Sequence, residues 1–69
     1  MDDREKLRIL VDHWIEHNRE HAEEFREWAG KARDFEEQAA GDNILKAAER
    51  LEEANECLLR AAEELKEGQ

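Results

Sequence analysis

Serine, threonine, tyrosine and proline are all missing from this chain, and cysteine occurs once, at Cys57. With no hydroxyl side chain and no histidine near its one thiol, the chain lacks the parts of a nucleophilic catalyst. A lone cysteine cannot close a disulfide within the chain, which fits a reducing cytoplasm. Glycine occurs only three times, and none of the three belongs to a phosphate-cradling loop. No apolar run is long enough to span a bilayer, and no signal-peptide core stands at the N-terminus. Basic residues are outnumbered 11 to 20 by acidic ones, leaving a formal charge of −9. They are interleaved with the acidic residues, so no basic patch forms and the surface field repels phosphate. Neither nucleic acid nor an anionic membrane is an expected partner. The expectation is a soluble cytoplasmic protein that is not an enzyme.

What is present favours helix. Charged residues make up 45% of the 69 residues, and alanine, glutamate, leucine, lysine and arginine dominate, a helical composition that argues against a sheet. Disorder is the competing reading for so acidic a chain, but apolar residues recur too regularly for it. Asp2 or Asp3 can cap a first helix, with Glu5 as capping-box partner to Asp2. From there Leu7, Val11, Trp14, Asn18, His21, Phe25, Trp28, Ala32, Phe35 and Ala39 alternate steps of four and three. That is a heptad seam, the signature of packed helices. Leu10, Ile15, Ala22 and Ala29 widen it, and Gly30 is its one weak point, a place where helices can approach closely.

"AAGDN" at 39–43 reads as the break between two helices. Gly41 suits a left-handed helix end and Asp42 a new N-cap. The second helix carries Ile44, Ala48, Leu51, Asn55, Leu58, Ala62 and Leu65, with an adjacent row of Ala47, Leu51, Ala54, Leu58, Ala61 and Leu65. Gly68 ends it. Two overlapping rows mean two neighbours, as in a four-helix bundle. The predicted architecture is all-α, a single hairpin domain over 1–69. Its helices run over about 3–39 and about 43–67, joined by a turn at about 40–42.

Folding at Gly41 pairs Ala39 with Ile44, Ala32 with Leu51, Phe25 with Leu58 and His21 with Ala62. The longer first helix then overhangs the second by roughly 20 Å at ~1.5 Å per residue. Leu7, Leu10, Val11, Trp14 and Ile15 are left without a partner in the chain, and such a patch marks an interface. Self-association is the expected remedy, most simply a homodimer that closes a four-helix bundle through Leu7, Leu10, Val11, Trp14, Ile15, Asn18, His21 and Trp28. A tetramer, or a hetero-partner helix laid along the overhang, is the alternative.

All three histidines, His13, His17 and His21, lie four apart in the first helix. Neighbours at that spacing can share a Zn, Ni or Co ion, but the outer two stand about 12 Å apart along the axis, too far for one ion. His17 and His21 are the credible pair, Glu24 the best local carboxylate, and His13 a remoter member. Three or four ligands are needed, so symmetry mates would have to complete the site. The Glu-x-x-His step of di-metal bundles is not matched. The plainer reading makes His21, Asn18 and Asn55 polar seam residues that set register against a neighbouring helix. No cofactor is expected on that reading. A third reading is an interface that responds to mild acid through these histidines. Trp14 and Trp28, seven residues to either side of His21, read as core, and Cys57 as a half-buried structural thiol.

"HWI" followed by "EHNREHAEEFREWA" resembles a group of small uncharacterised bacterial and archaeal helical proteins. They share His-Trp-Ile-Glu-His-Asn-x-x-His-Ala-Glu, and the likeness covers residues 10–29. It implies a natural helical module and carries no catalytic residue over.

Overall fold

Both heptad patterns become α-helices in the computed structural model, which describes residues 2–67. Helix α1 spans Asp3–Asp34 and helix α2 spans Gln38–Glu67. The chain is therefore an all-α helical hairpin. Asp2 is the N-cap, its carboxylate accepting the Glu5 backbone N–H at 2.9 Å. Asp3 and Glu5 in the first turn of α1, and Lys31 and Arg33 in its last, complement the helix dipole. Gly68, expected to end the second helix, lies outside the described residues.

The reversal comes earlier than the glycine predicts. The chain turns at Phe35–Glu37, not at 40–42, so the first helix stops at Asp34 instead of continuing to 39. Glu37 donates its N–H to the Ala32 carbonyl at 2.8 Å, and Glu36 donates to Arg33 at 3.0 Å. This double closure, with a left-handed residue between, is a Schellman ending. The left-handed residue is Glu36, at φ 69°, where glycine would be usual. Gly41 instead lies within α2, its N–H bonded to the Glu37 carbonyl at 2.9 Å. A Cβ built there would stand 3.0 Å from the Ala29 carbonyl oxygen and 3.3 Å from Arg33 Cγ. Glycine at 41 thus permits helix contact and makes no bend. Asp42, expected as an N-cap, pairs with Arg33 across the hairpin at 2.7 Å.

Shifting the turn shifts every pairing. The expected partners have numbers summing to about 83, whereas Asn18 bonds to Asn55, a sum of 73. Phe25 lies beside Ile44 and Ala47 rather than Leu58. Helices of 32 and 30 residues match in length, and Leu7 shares a depression with Leu65. The overhang does not exist.

The core between the helices is narrow. Val11, Ile15, Ala22, Ala29, Ala32 and Ala48 are the buried apolar residues, and no large side chain is wholly enclosed among the described residues. Alanines at 29, 32 and 48 with Gly41 line the turn-proximal half of the seam, where the helices approach closely; Val11 and Ile15 are buried toward its other end. Asn55 is 7% exposed and bonded through both its oxygen and its nitrogen. Its Oδ1 accepts from Asn18 Nδ2 and its Nδ2 donates to the Ile15 carbonyl, both at 3.0 Å. A buried amide needs such partners, and only one register supplies them.

Replacing Glu36 by glycine removes the left-handed penalty and is expected to stabilise the hairpin by about 1 kcal/mol, read by urea denaturation at fixed chain concentration. Gly30 has nothing within 4 Å of a built Cβ, so Gly30→Ala should gain roughly 0.5–1 kcal/mol. Gly41→Val should lose about 1–3 kcal/mol by overpacking Ala29. Equal responses at the two glycines would refute the close approach. Asn55→Ala is expected to cost about 1–3 kcal/mol, against almost nothing for exposed Asn43→Ala in the same assay.

Candidate functional site

Two helices side by side have two broad faces, and here the faces differ in chemistry. On one, Asn18, Arg19, Glu23, Arg26 and Glu52 line a shallow polar groove, and Arg26 pairs with Glu52 across it. Farther along the hairpin, Arg8, Asp12 and Lys66 surround Ala62. The other face is apolar. Phe25 and Trp28 of α1 meet Ile44 and Ala47 of α2 there, and Leu7 meets Leu65 at the far end.

Rotation of about 100° per residue places further side chains on this apolar face. Leu10 and Trp28, five turns apart, have the same angular position; Trp14, His17 and His21 lie within about 40° of it. On α2 the row Ala47, Leu51, Ala54, Leu58, Ala61 and Leu65 continues the surface, with Leu51, Leu58 and Leu65 half-buried at its inner edge. Trp28 is 52% exposed and Trp14 41% exposed, and Leu7 and Leu10 are also open to solvent. Lys31 Nζ sits 4.2 Å from the centre of the Trp28 ring, a cation–π contact at the edge of the face.

The expected interface set divides on this geometry. Leu7, Leu10, Trp14 and Trp28 are exposed on the apolar face, and His21 is half-buried there. Val11 and Ile15 are spent inside the hairpin, and Asn18 is committed to Asn55. These three serve the chain's own packing, because matched helices cover what an overhang would have exposed. Phe25, Ile44 and Leu65 join the face instead. Each already stood in an apolar row of its own helix, but only the right register shows that the rows meet on this face. Cys57, expected half-buried, is exposed.

The histidines form a ladder along α1. The rings of His13 and His17 stack at 5.9 Å; those of His17 and His21 meet edge-on at 4.4 Å; His21 and Phe25 are 6.0 Å apart. His17 Nε2 and His21 Nε2 face each other at 3.2 Å. Glu24 Oε1 lies 3.7 Å from His21 Nδ1, the opposite side of that ring. His17, His21 and Glu24 are thus adjacent, but Glu24 is aimed at the wrong nitrogen to join His17 on a shared ion. Among the described residues no group of three or more histidine, cysteine, aspartate or glutamate side chains can hold a metal ion by itself. No helix among them is long and apolar enough to cross a membrane.

A family model described as a domain of unknown function (DUF8180) matches residues 7–65. An uncharacterized protein of Archaeoglobus fulgidus is 39% identical over 59 residues, which cover 86% of this chain and 94% of that protein. No solved structure matches.

Proposed function

This chain belongs to the DUF8180 family, and we propose that it works as a non-catalytic interaction module that pairs with a second copy through its apolar face. The observation that carries this reading is the missing layer. Extents of 51 × 18 × 12 Å describe a slab one helix thick, with no large side chain wholly enclosed among the described residues. Stable domains bury their apolar faces between two layers, and a second hairpin supplies the other one. Two hairpins stacked face to face make a four-helix bundle with Leu7, Leu10, Trp14, Phe25 and Trp28 inside, joined by the leucine row of α2. The mixed-charge opposite faces then form the outside.

A second copy suits the face better than nucleic acid or an anionic membrane, because the net charge of −9 repels both. The exposed, unpaired Cys57 fits a cytoplasmic setting. Within the family, the His-Trp-Ile-Glu-His-Asn-x-x-His-Ala-Glu run of this chain is proposed as a shared segment, since it carries Trp14, His17 and His21 of the face and Ile15 and Ala22 of the core.

Sedimentation equilibrium at 1–100 µM, roughly the range in which small bundles associate, is expected to report a dimer whose melting temperature rises with concentration. Leu10→Glu and Trp28→Glu should each weaken dimerisation at least tenfold, or about 1.4 kcal/mol. A stable, folded monomer at low micromolar concentration would sink the proposal.

A further inference from the structure

We infer that His17 and His21 are half of a transition-metal site, and that the second copy of the chain supplies the other half. This rests on the face-to-face pairing proposed above.

Local geometry is the first support. Zinc–imidazole bonds of about 2.0–2.1 Å at a near-tetrahedral angle hold two nitrogens roughly 3.3 Å apart. The two Nε2 atoms stand at 3.2 Å in a hydrogen bond, one donating its N–H to the other, and an ion would take the place of that shared proton. Both rings therefore have the spacing of neighbouring ligands before any ion is added. Glu24 sits on the Nδ1 side of His21 at 3.7 Å, where a carboxylate favours the tautomer that keeps the Nε2 lone pair free. Metal-binding histidines commonly have such a partner.

Position along the helix is the second support. The middle of α1, Asp3–Asp34, falls between Asn18 and Arg19. His17 and His21 straddle Arg19 by two residues each, and Leu10 and Trp28 lie nine residues to either side. All four share one stripe of the helix. A two-fold axis crossing α1 at this level sets Leu10 against Trp28 of the second copy and His17 against His21 of the second copy. Four imidazole nitrogens then converge between two apolar clusters, a complete tetrahedral donor set. The axis also brings together two chains of charge −9 each, and a divalent cation on it offsets part of their repulsion.

His13 does not belong to this site. Its ring stacks on His17 at 5.9 Å, and it lies six residues from Arg19, on the side turned toward solvent.

The test uses tag-free, full-length protein stripped with EDTA, then loaded with Zn²⁺, Ni²⁺ or Co²⁺. Equilibrium dialysis is expected to give one zinc per two chains. Sedimentation should show zinc tightening the dimer at least tenfold, and Co²⁺ should develop the intense visible absorption of a tetrahedral complex. His17→Ala and His21→Ala should each abolish all three effects with helicity unchanged, whereas His13→Ala should keep them. A dimer in EDTA that takes up no zinc overturns this inference and leaves the apolar-face reading standing. One ion per chain on a monomer, or equal loss in His13→Ala, also overturns it. A monomer that zinc does not assemble overturns both.

Discussion

The side-chain amide of Asn55 has to satisfy an oxygen and a nitrogen while buried between two helices, and the rest of the hairpin is arranged around that demand. Asn18 supplies the donor and the Ile15 carbonyl the acceptor. Sliding α2 by one turn would strand both groups, and an unpaired buried amide costs far more than an ordinary contact is worth. Apolar seams alone discriminate weakly between registers, since alanine and leucine rows fit several ways. The amide supplies the discrimination.

Everything at the turn agrees with that register. Asp34 ends α1, Glu36 takes the left-handed conformation, and Gly41 reaches the level of Ala29 and Ala32, where only a hydrogen in place of a side chain fits easily. Arg33 and Asp42 close the same end with an exposed ion pair of small energetic weight. Because the two helices come out nearly equal in length, Leu7 ends level with Leu65. Interhelical packing consumes Val11, Ile15 and the alanines. Leu7, Leu10, Trp14 and Trp28 are left to one side, while Ile9 and Leu59 are exposed away from it.

That asymmetry links fold to function. A two-helix layer can be dry only along its single seam, so Leu7, Leu10, Trp14 and Trp28 beyond the seam are exposed. The histidines share the face because their spacing of four keeps them near the angular position of Leu10 and Trp28. Among the described residues, no side chains of one hairpin complete a metal site with His17 and His21. Assembly and ligand chemistry thus become a single question.

Helix content, the all-α class, the Asp2 cap and the identity of the apolar positions were readable from the residues, because each depends on local propensity or on periodicity along one helix. The same periodicity set His21 in the seam and His17 at its edge, with His13 turned toward solvent. The turn was not readable. Glycine is the usual left-handed residue, so Gly41 outranked Glu36, and only contact with Ala29 explains why glycine is needed at 41. That difference of a few residues created a false overhang and assigned Val11, Ile15 and Asn18 to a partner chain. The sequence by itself determined which residues are helical and which are apolar. The tertiary structure decided which apolar residues the chain buries and which it leaves exposed, because that choice depends on register, and register is set by close packing and one buried amide that join residues far apart in the chain.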